Sequence, residues 1–523
     1  MTNSSFRIPR AHLVMALCLP LAVILGYMLV DPLDPGSLAV VTLVLAVLSV
    51  PLLMKWCHPL LIICWNAVLA PAFLPGQPDT WTLLAAIGLF FAILNRAVDS
   101  NRRFIDAPSI RTPLLCLAAV VVITGCCKGG IGFGVFGSTN FGGKRYFYTL
   151  AAVMGYFALT SQAIPLRRAG WLVGLFFLSE ITGVIPNLVT SVGGWVRYLY
   201  LLFPAGYAVE QIRAEGATEG LYRIFGLSMA ATGGFCFLLS RYGLRGIFQG
   251  HKYWRLAALL LVFACCLFAG FRSVLILFLL IFAVQFYFEK LYRTRLLWIL
   301  VAVGLVAGSL ALTQVQRLPF YVQRTLSFLP ISVNPEAQQN ADATLIWRLQ
   351  MWQSLLPEVP KHLLLGKGFS IAPSDLFFSS DYGEWAATAG DYHSGPLSLI
   401  LPLGIWGVLT FGWFCWAALR YLYRQHCWSH PELQAVNTFL LTLFVARLVT
   451  FLLIFGSFYS DLFLFTGIIG LSVSLNGQQS GLSFSYDHRL ERVESTEADI
   501  LEPELKMRRL ADEVAHETDC LKR

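Results

Sequence analysis

Charged residues are scarce in this sequence. Asp, Glu, Lys and Arg make up 13% of the 523 residues, whereas hydrophobic residues make up 57% and the mean hydropathy is +0.65. An average soluble domain carries about 25% charged residues. The scarcity of charge therefore excludes an ordinary soluble protein and predicts an all-α, polytopic integral membrane protein.

Common catalytic and metal-binding motifs are absent from the sequence as well. It contains no phosphate-binding P-loop, no Gly-x-Ser-x-Gly nucleophile motif and no His-Glu-x-x-His zinc motif. None of the twelve cysteines forms a Cys-x-x-Cys pair, and none lies within residues 314–394. Neither nucleotide chemistry, nor a zinc site, nor a disulfide scaffold is indicated.

Apolar stretches long enough to cross a membrane recur along most of the chain. A span needs about 20 helical residues. Lys and Arg stay on the cytoplasmic side, and they cluster in alternate short loops, which fixes the orientation. We predict about 14 spans, near residues 11–30, 36–54, 59–75, 79–95, 112–127, 146–164, 169–190, 221–240, 254–270, 273–289, 296–313, 395–419, 437–457 and 459–476.

This topology divides the chain into four parts. Transmembrane helices in 1–313 precede a large periplasmic loop with an amphipathic helix in 314–394. Further transmembrane helices in 395–476 lead to a cytoplasmic tail in 477–523. The net charge of +8 reflects mainly the inside loops and indicates membrane lipids rather than nucleic acid as a partner.

Two stretches fit this topology less simply. The stretch 196–212 is apolar enough to span, but counting it would invert every later loop, so we interpret it as re-entrant or interfacial. The loop 127–146 falls outside although it carries Lys128, Lys144 and Arg145. It is either a mild violation of the basic-loop rule or a basic surface awaiting an anion.

Histidine placement singles out one candidate catalytic residue. Of nine histidines, only His362 and His393 fall on the outside, and only His393 stands at the mouth of a predicted span. A lone histidine at a helix start is more often a capping or interfacial residue than a catalyst. The functional interpretation therefore depends on its neighbours.

Two arginines are predicted on the same side. Arg272 interrupts an apolar run in a tight outer hairpin, where a snorkelling interfacial side chain is the alternative to a functional one. Arg348 lies in a predicted amphipathic helix, where a solvated helix face is the alternative. The apolar stripe of that helix comprises Ile346, Leu349, Trp352, Leu355 and Leu356.

The order of these residues resembles the O-antigen ligase and polymerase superfamily of bacterial envelope glycosyltransferases. The similarity covers about residues 255–420. Two positions depart from the usual family pattern: Ser394 follows the histidine, and Pro402 stands in place of an acidic residue. Pro402 removes a carboxylate whose role is then unfilled. The matching positions are Arg272 beside Ser273, Arg348, Gly366, Gly368, His393 and the run from Gly404 to Gly407.

The resemblance implies an enzyme of polysaccharide or lipopolysaccharide biosynthesis in the bacterial inner membrane. It would move a glycan from a polyprenyl diphosphate, such as undecaprenyl diphosphate, to an acceptor hydroxyl on lipid A core or a growing polysaccharide, with its active site facing the periplasm. Arg272 and Arg348 would bind the diphosphate, and His393 would act as the general base. No cofactor and no metal is expected.

Three alternatives remain open. A related metal-dependent transferase would use Asp381, Glu384 or Asp391 with His393. A membrane transporter or lipid flippase for polysaccharide precursors would place charges such as Glu180 at midspan, in broken helices. A purely structural envelope scaffold would need no convergent arginines and histidine.

Overall fold

The fold is helical in every part of the chain that the structure describes. A computed structural model describes residues 19–20, 22–23, 26, 35–72, 74, 76–98, 104–129, 143–208, 224–248, 252–329, 332–369, 390 and 392–477. The chain forms two compact units, Met1–Pro59 and Leu60–Arg523. No strand occurs within the described ranges.

The α-helices, in chain order, are α1 (Pro35–Cys64), α2 (Thr80–Val98), α3 (Pro108–Lys128), α4 (Gly143–Leu159), α5 (Leu166–Leu178), α6 (Val184–Val192), α7 (Phe225–Phe248), α8 (Tyr253–Phe268), α9 (Arg272–Phe288), α10 (Leu296–Gln314), α11 (Phe320–Leu326), α12 (Pro335–Leu355), α13 (Glu358–Lys361), α14 (Gly395–Trp428), α15 (Gln434–Leu453) and α16 (Phe458–Gly477). Helices α11, α12 and α13 fall within the predicted loop 314–394. The predicted tail lies outside the described residues except for Gly477.

Seven segments of the described chain are long and apolar enough to cross a membrane. They are Thr80–Ala97, Pro108–Lys128, Leu166–Val192, Leu296–Arg317, Gly395–Trp428, Pro431–Leu453 and Phe458–Gly477. The all-α membrane class predicted from the sequence is confirmed. The predicted number of about 14 spans is not reached among the residues described.

Shorter helices account for part of that difference. The apolar helices Tyr253–Phe268 and Arg272–Phe288 have 16 and 17 residues. At about 1.5 Å per residue they extend roughly 25 Å, less than the roughly 30 Å hydrocarbon core. The predicted spans 36–54 and 59–75 differ in another way, because α1 runs continuously to Cys64 through Pro51 and Pro59. Most of the predicted span 11–30 lies outside the described residues.

One membrane-length segment is broken in its middle. Between α5 and α6 the chain forms the 3₁₀ helix Ser179–Gly183, which contains Glu180. A charge at the centre of a bilayer costs about 2.5–3.5 kcal/mol on insertion scales. Arg447 of α15 exerts an electrostatic attraction on the Glu180 carboxylate and so offsets part of that cost.

The apolar stretch 196–212 does not form a membrane-length α-helix in its described part. It begins within the 3₁₀ helix Gly194–Leu201 and continues into the short helix Ala205–Ala208. Its carbonyls at Leu201 and Leu202 accept hydrogen bonds from the backbone N–H groups of Ala72 and Ala70, both at 2.8 Å. These bonds attach the stretch to the irregular segment before α2.

Large side chains from one part of the bundle fill spaces left by small residues in another. Trp65 is fully buried, and its indole lies against Gly467 of α16 and Gly155 of α4. A Cβ at Gly467 would collide with the indole nitrogen. Small residues allow such close approach in membrane bundles, where packing rather than water exclusion holds helices together.

Polar contacts define the two ends of the bundle. At the end where α14 begins, the backbone N–H of Phe458 donates to Ser398 Oγ at 2.8 Å. At the opposite end, Asn437 and Asn476 exchange two side-chain hydrogen bonds of 3.0 Å. The start of α14 and the start of α16 therefore share one end, and the start of α15 lies at the other.

Candidate functional site

Helix α12 packs along the start of α14. Trp352 donates its indole N–H to the Tyr392 carbonyl at 2.9 Å, and a separate apolar cluster joins the two elements. The buried members of this cluster are Met351, Leu355, Tyr392, Leu397 and Leu401. The loop helix is thus fixed directly over the residues that precede the membrane segment.

The predicted apolar stripe of α12 is partly wrong. Trp352 and Leu355 do face the start of α14, but Ile346 and Leu349 are 53% and 47% exposed. The inward face follows Trp347, Met351 and Leu355, which are spaced by four residues. The sequence alone did not show which face would meet α14, since apolar residues occur all round this helix.

His393 adopts an unusual backbone conformation at the end of the loop. Its φ is +47°, in the left-handed region that non-glycine residues occupy at a cost of about 1–3 kcal/mol. The imidazole centroid lies 5.2 Å from the Trp347 ring and 5.3 Å from the Phe455 ring. The surrounding aromatic contacts hold the ring at the mouth of α14, and the side chain is half-buried.

Arg348 meets the same aromatic ring. Its guanidinium carbon lies 5.4 Å from the Phe455 centroid, within cation–π range. The structure therefore brings together two of the three predicted site residues, Arg348 and His393, around Phe455. Phe455 belongs to the short connection between α15 and α16.

Arg272 is positioned by other contacts. It is the first residue of α9, and the ring of the preceding Phe271 packs 5.8 Å from Phe225. Helix α11 lies next to this hairpin, because Thr325 Oγ1 donates to the Leu267 carbonyl at 3.2 Å. The same helix buries a second basic residue, Arg324, which is 6% exposed. Sequence reasoning missed Arg324, since nothing in its local pattern separates it from a surface arginine.

The glycine-rich turn after α13 docks into a break in α14. Gly404 has φ +66°, so the helix is interrupted there, just after Pro402. Three backbone hydrogen bonds cross from the turn to the break: Ile405 N–H to the Leu363 carbonyl at 2.7 Å, Lys367 N–H to Leu401 at 2.7 Å and Gly368 N–H to Pro402 at 3.0 Å. The turn thus satisfies polar groups that the break frees.

This docking clarifies the departure at Pro402. The sequence reading left the role of the missing carboxylate unfilled. In the structure the Pro402 backbone carbonyl accepts the Gly368 N–H, so this position contributes through its main chain. Gly366 lies against the same carbonyl. The two glycine motifs, far apart in sequence, form one local structure.

A second guanidinium reaches the site from α4. The Arg145 guanidinium carbon lies 4.8 Å above the Tyr459 ring, and Nη1 lies against Gly390. Helix α4 is held in place because Tyr146 Oη accepts the backbone N–H of Phe369 at 2.9 Å. Within the described part of the chain, no carboxylate pairs with Arg145. The sequence indicated this residue only through its position in the basic loop 127–146, which is predicted to lie on the periplasmic side.

Tyr392, next to His393, remains protonated. Burial raises the pKa of its phenol to about 12, although Arg145 opposes the shift. A phenol with this pKa donates hydrogen bonds but cannot serve as a base near neutral pH. His393 is therefore the better placed base of the two adjacent residues.

An acidic residue that sequence reasoning did not single out lies close to the start of α14. Asp461 Oδ2 accepts the Ser457 N–H at 2.8 Å, and Gly456 and Gly395 approach each other beside it. Arg447 also attracts this carboxylate electrostatically. Asp461 thus fixes the connection that carries Phe455, next to the start of α16 where Tyr459 lies.

The metal-dependent alternative is not tested by the described residues. Within them, no group of three His, Cys, Asp or Glu side chains is arranged to hold a metal ion. The candidate ligands Asp381, Glu384 and Asp391 lie outside the described residues.

Part of this chain is similar to a known protein family. The family model described as O-antigen ligase matches residues 257–412. This segment is similar to that family, and it covers less than half of the chain. No curated protein matches the chain. The resemblance recognised from the residue pattern is confirmed over this segment.

The O-antigen ligase segment contains most of the site, but not all of it. Arg272, Arg348, His393 and the break at Gly404 fall within 257–412. Arg145 precedes the matched segment and Phe455 follows it. The aromatic ring shared by Arg348 and His393 is therefore supplied by a part of the chain that the family pattern does not cover.

Proposed function

We propose that this protein is an O-antigen ligase-like glycosyltransferase, or a polysaccharide polymerase of the same kind. It transfers a glycan from a polyprenyl diphosphate to a hydroxyl of lipid A core or of a growing polysaccharide. The reaction takes place on the periplasmic face of the bacterial inner membrane, in which the chain is anchored by multiple spans. It requires no metal and no cofactor.

The observation that carries the proposal is the pairing of Arg348 and His393 on the ring of Phe455. A guanidinium and an imidazole thus both lie against one ring at the mouth of a membrane segment. A lipid-linked donor presents its diphosphate at the membrane surface, and its acceptor comes from the aqueous side. The site thus lies at the boundary where both substrates meet.

The residues suit the bond changes of this transfer. The bond between sugar C1 and the diphosphate oxygen breaks, and a bond forms between C1 and the acceptor oxygen. The acceptor hydroxyl gives its proton to neutral His393, and the polyprenyl diphosphate leaves with the electron pair. Guanidinium groups of Arg272 and Arg348 stabilise the charge that develops on the leaving oxygen through paired hydrogen bonds.

Arg145 gives the site a further anion-binding group. The Arg145 guanidinium lies against Gly390, three residues before His393, whereas the Arg348 guanidinium lies against the ring of Phe455. Its guanidinium has one face on Tyr459, which leaves its edge able to donate hydrogen bonds to a phosphate or a carboxylate of a bound substrate.

A transfer assay with purified protein tests the proposal. Lipid-linked glycan and acceptor are incubated with the protein in detergent and excess EDTA, and the glycosylated acceptor is measured. We expect full transfer in the chelator. Loss of transfer that Mg²⁺ or Mn²⁺ restores would instead support a metal site formed by Asp391 and His393.

Deletion of the gene separates ligase from polymerase. Uncapped core with long polymer retained on the carrier indicates a ligase, whereas single repeat units indicate a polymerase.

The transporter alternative has one observation in its favour. The segment between α5 and α6 is broken at Glu180, and Arg447 attracts that carboxylate electrostatically. A transporter moves its substrate between compartments and makes no new glycosidic bond. Product formation in detergent solution, where there are no compartments, would therefore reject it.

A further inference from the structure

A pocket lies at the end of the bundle opposite to His393. It encloses about 400 Å³ between the start of α5, the residues of α7 just before its kink, and the start of α15. Its position follows from the Ile164 N–H, which donates to the Ser474 carbonyl near the end of α16 at 2.9 Å. We refer to it as the Arg241 pocket. Its lining residues are Leu166, Arg167, Ala169, Gly170, Trp171, Val173, Gly174, Ser240, Arg241, Glu432, Leu433, Ala435 and Val436.

The charged groups of the Arg241 pocket are two arginines and one glutamate. The Arg241 guanidinium crosses from α7 and lies against Gly170 of α5, while Arg167 stands one turn earlier on α5. In the described part of the chain, no carboxylate lies within ion-pair distance of either arginine. With Glu432 on the facing wall, the formal charge of the lining is +1.

The floor and rim of the pocket are apolar. Ala169, Val173 and Leu433 are buried beneath the arginines. Trp171 lies at the rim with 77% of its surface exposed, in the segment Leu166–Val192 that is long and apolar enough to cross a membrane. Tryptophan is enriched at the level of lipid headgroups, where its ring is partly apolar and its N–H is polar.

We propose that the Arg241 pocket binds the headgroup of an anionic glycerophospholipid, with phosphatidylglycerol as the best match. The two arginines hold the phosphate, and Glu432 accepts hydrogen bonds from the headgroup hydroxyls. One acyl chain follows Trp171 along α5. The lipid's single negative charge matches the net charge of the lining, whereas a zwitterionic lipid leaves one positive charge unbalanced. This site is independent of the transferase reaction.

Native mass spectrometry of the purified full-length protein tests the proposal. The probes are phosphatidylglycerol, phosphatidylethanolamine and inorganic phosphate, each titrated against the detergent-solubilised protein. We expect selective retention of phosphatidylglycerol. The double variant Arg167→Ala/Arg241→Ala should bind it about twenty-five-fold more weakly, because each basic contact near a membrane surface contributes about fivefold.

A matched control removes the same charge outside the pocket. Arg168 adjoins Arg167 in the sequence. Arg168 and Arg295 are both exposed, and neither lines the cavity. The double variant Arg168→Ala/Arg295→Ala should retain phosphatidylglycerol like the parent. Ala435→Trp fills the pocket without removing a charge and should also abolish retention, which separates the cavity from the general charge of this end.

Three results would overturn the proposal. An equal loss of phosphatidylglycerol retention in both double variants would show that the overall positive charge of this end attracts the lipid, rather than the pocket. Retention of phosphatidylethanolamine or of free phosphate as tight as that of phosphatidylglycerol would remove the anionic lipid as the ligand. Unchanged retention in Ala435→Trp would place the lipid elsewhere. None of these measurements of lipid retention depends on transferase activity.

Discussion

The Leu363 carbonyl accepts a hydrogen bond from the Ile405 N–H at 2.7 Å, so a loop residue replaces a partner that the broken helix α14 lacks. The break and the loop are therefore mutually dependent. Without the turn, the polar groups freed at Gly404 would be unsatisfied within a membrane segment. Without the break, the turn would have no surface to dock on, and α12 would lose one of its attachments to the site.

Gly404→Ala should destabilise the protein and impair transfer. Gly404 has φ +66°, and an added Cβ would come within 2.7 Å of the Leu363 carbonyl oxygen. The backbone strain alone costs about 1–3 kcal/mol. We expect a clear fall in the thermal unfolding temperature in detergent. Gly412→Ala is the matched control, because it lies in the same helix with nothing within 4 Å, and an unfolding temperature as low as that of Gly404→Ala would contradict this account.

His393→Ala should lower the transfer rate by about 10²–10⁴-fold, the usual contribution of a general base, with little change in donor binding. His362→Ala, in the same loop, should have a mild effect. The rate should fall at acidic pH, since only the neutral imidazole ring accepts a proton. Tyr392 should add no titration up to about pH 10, because burial raises its pKa to about 12.

Parent activity in His393→Ala would remove this residue as the base. The same measurement in Tyr392→Phe, where the phenol is absent but the ring remains, checks that the pH profile belongs to the imidazole.

Arg348→Lys and Arg272→Lys should each reduce transfer substantially while the protein still inserts into the membrane. Lysine keeps the charge but not the planar fork that binds two phosphate oxygens at once. The measurement is the transfer rate with lipid-linked donor. Full activity in both variants would return Arg272 to a snorkelling role and Arg348 to a surface role.

Arg145→Gln should weaken substrate binding more than it slows the bound reaction. A lost charge-assisted hydrogen bond costs about 1.5–3 kcal/mol, which corresponds to roughly a 10–150-fold rise in KM for the anionic substrate. Lys144→Gln is the control, because the Lys144 ammonium already donates to the Gln77 carbonyl at 3.2 Å and contacts the Tyr148 ring. Equal KM values in the two variants would exclude a binding role for Arg145.

Alkaline phosphatase fusions test the orientation of the chain. We expect a fusion after residue 340 to be active, since the basic-loop pattern predicts a periplasmic location there. A fusion after residue 480 should be inactive. The reverse pattern would place His393 on the cytoplasmic side and remove the proposed reaction from the periplasm.

Sequence patterns were sufficient for the class of the protein, and they indicated three candidate site residues whose roles stay predictions. The apolar composition indicated a helical membrane protein because an apolar run of about 20 residues has few other stable environments. The order of Arg272, Arg348, His393 and the glycines indicated the superfamily that the family match supports. Composition and residue order are properties of the linear sequence, so they can be recognised without knowing which helices are in contact.

Tertiary structure decided what depends on contacts between distant segments. Tyr146 and Phe369 are 223 positions apart, and only their hydrogen bond shows that α4 brings Arg145 to the site. Phe455 gains its importance from two neighbours on other elements, Arg348 and His393. Membrane helices are apolar on most faces, so periodicity does not specify which face packs against which neighbour. Side-chain fit and backbone hydrogen bonding in the folded chain specify it instead.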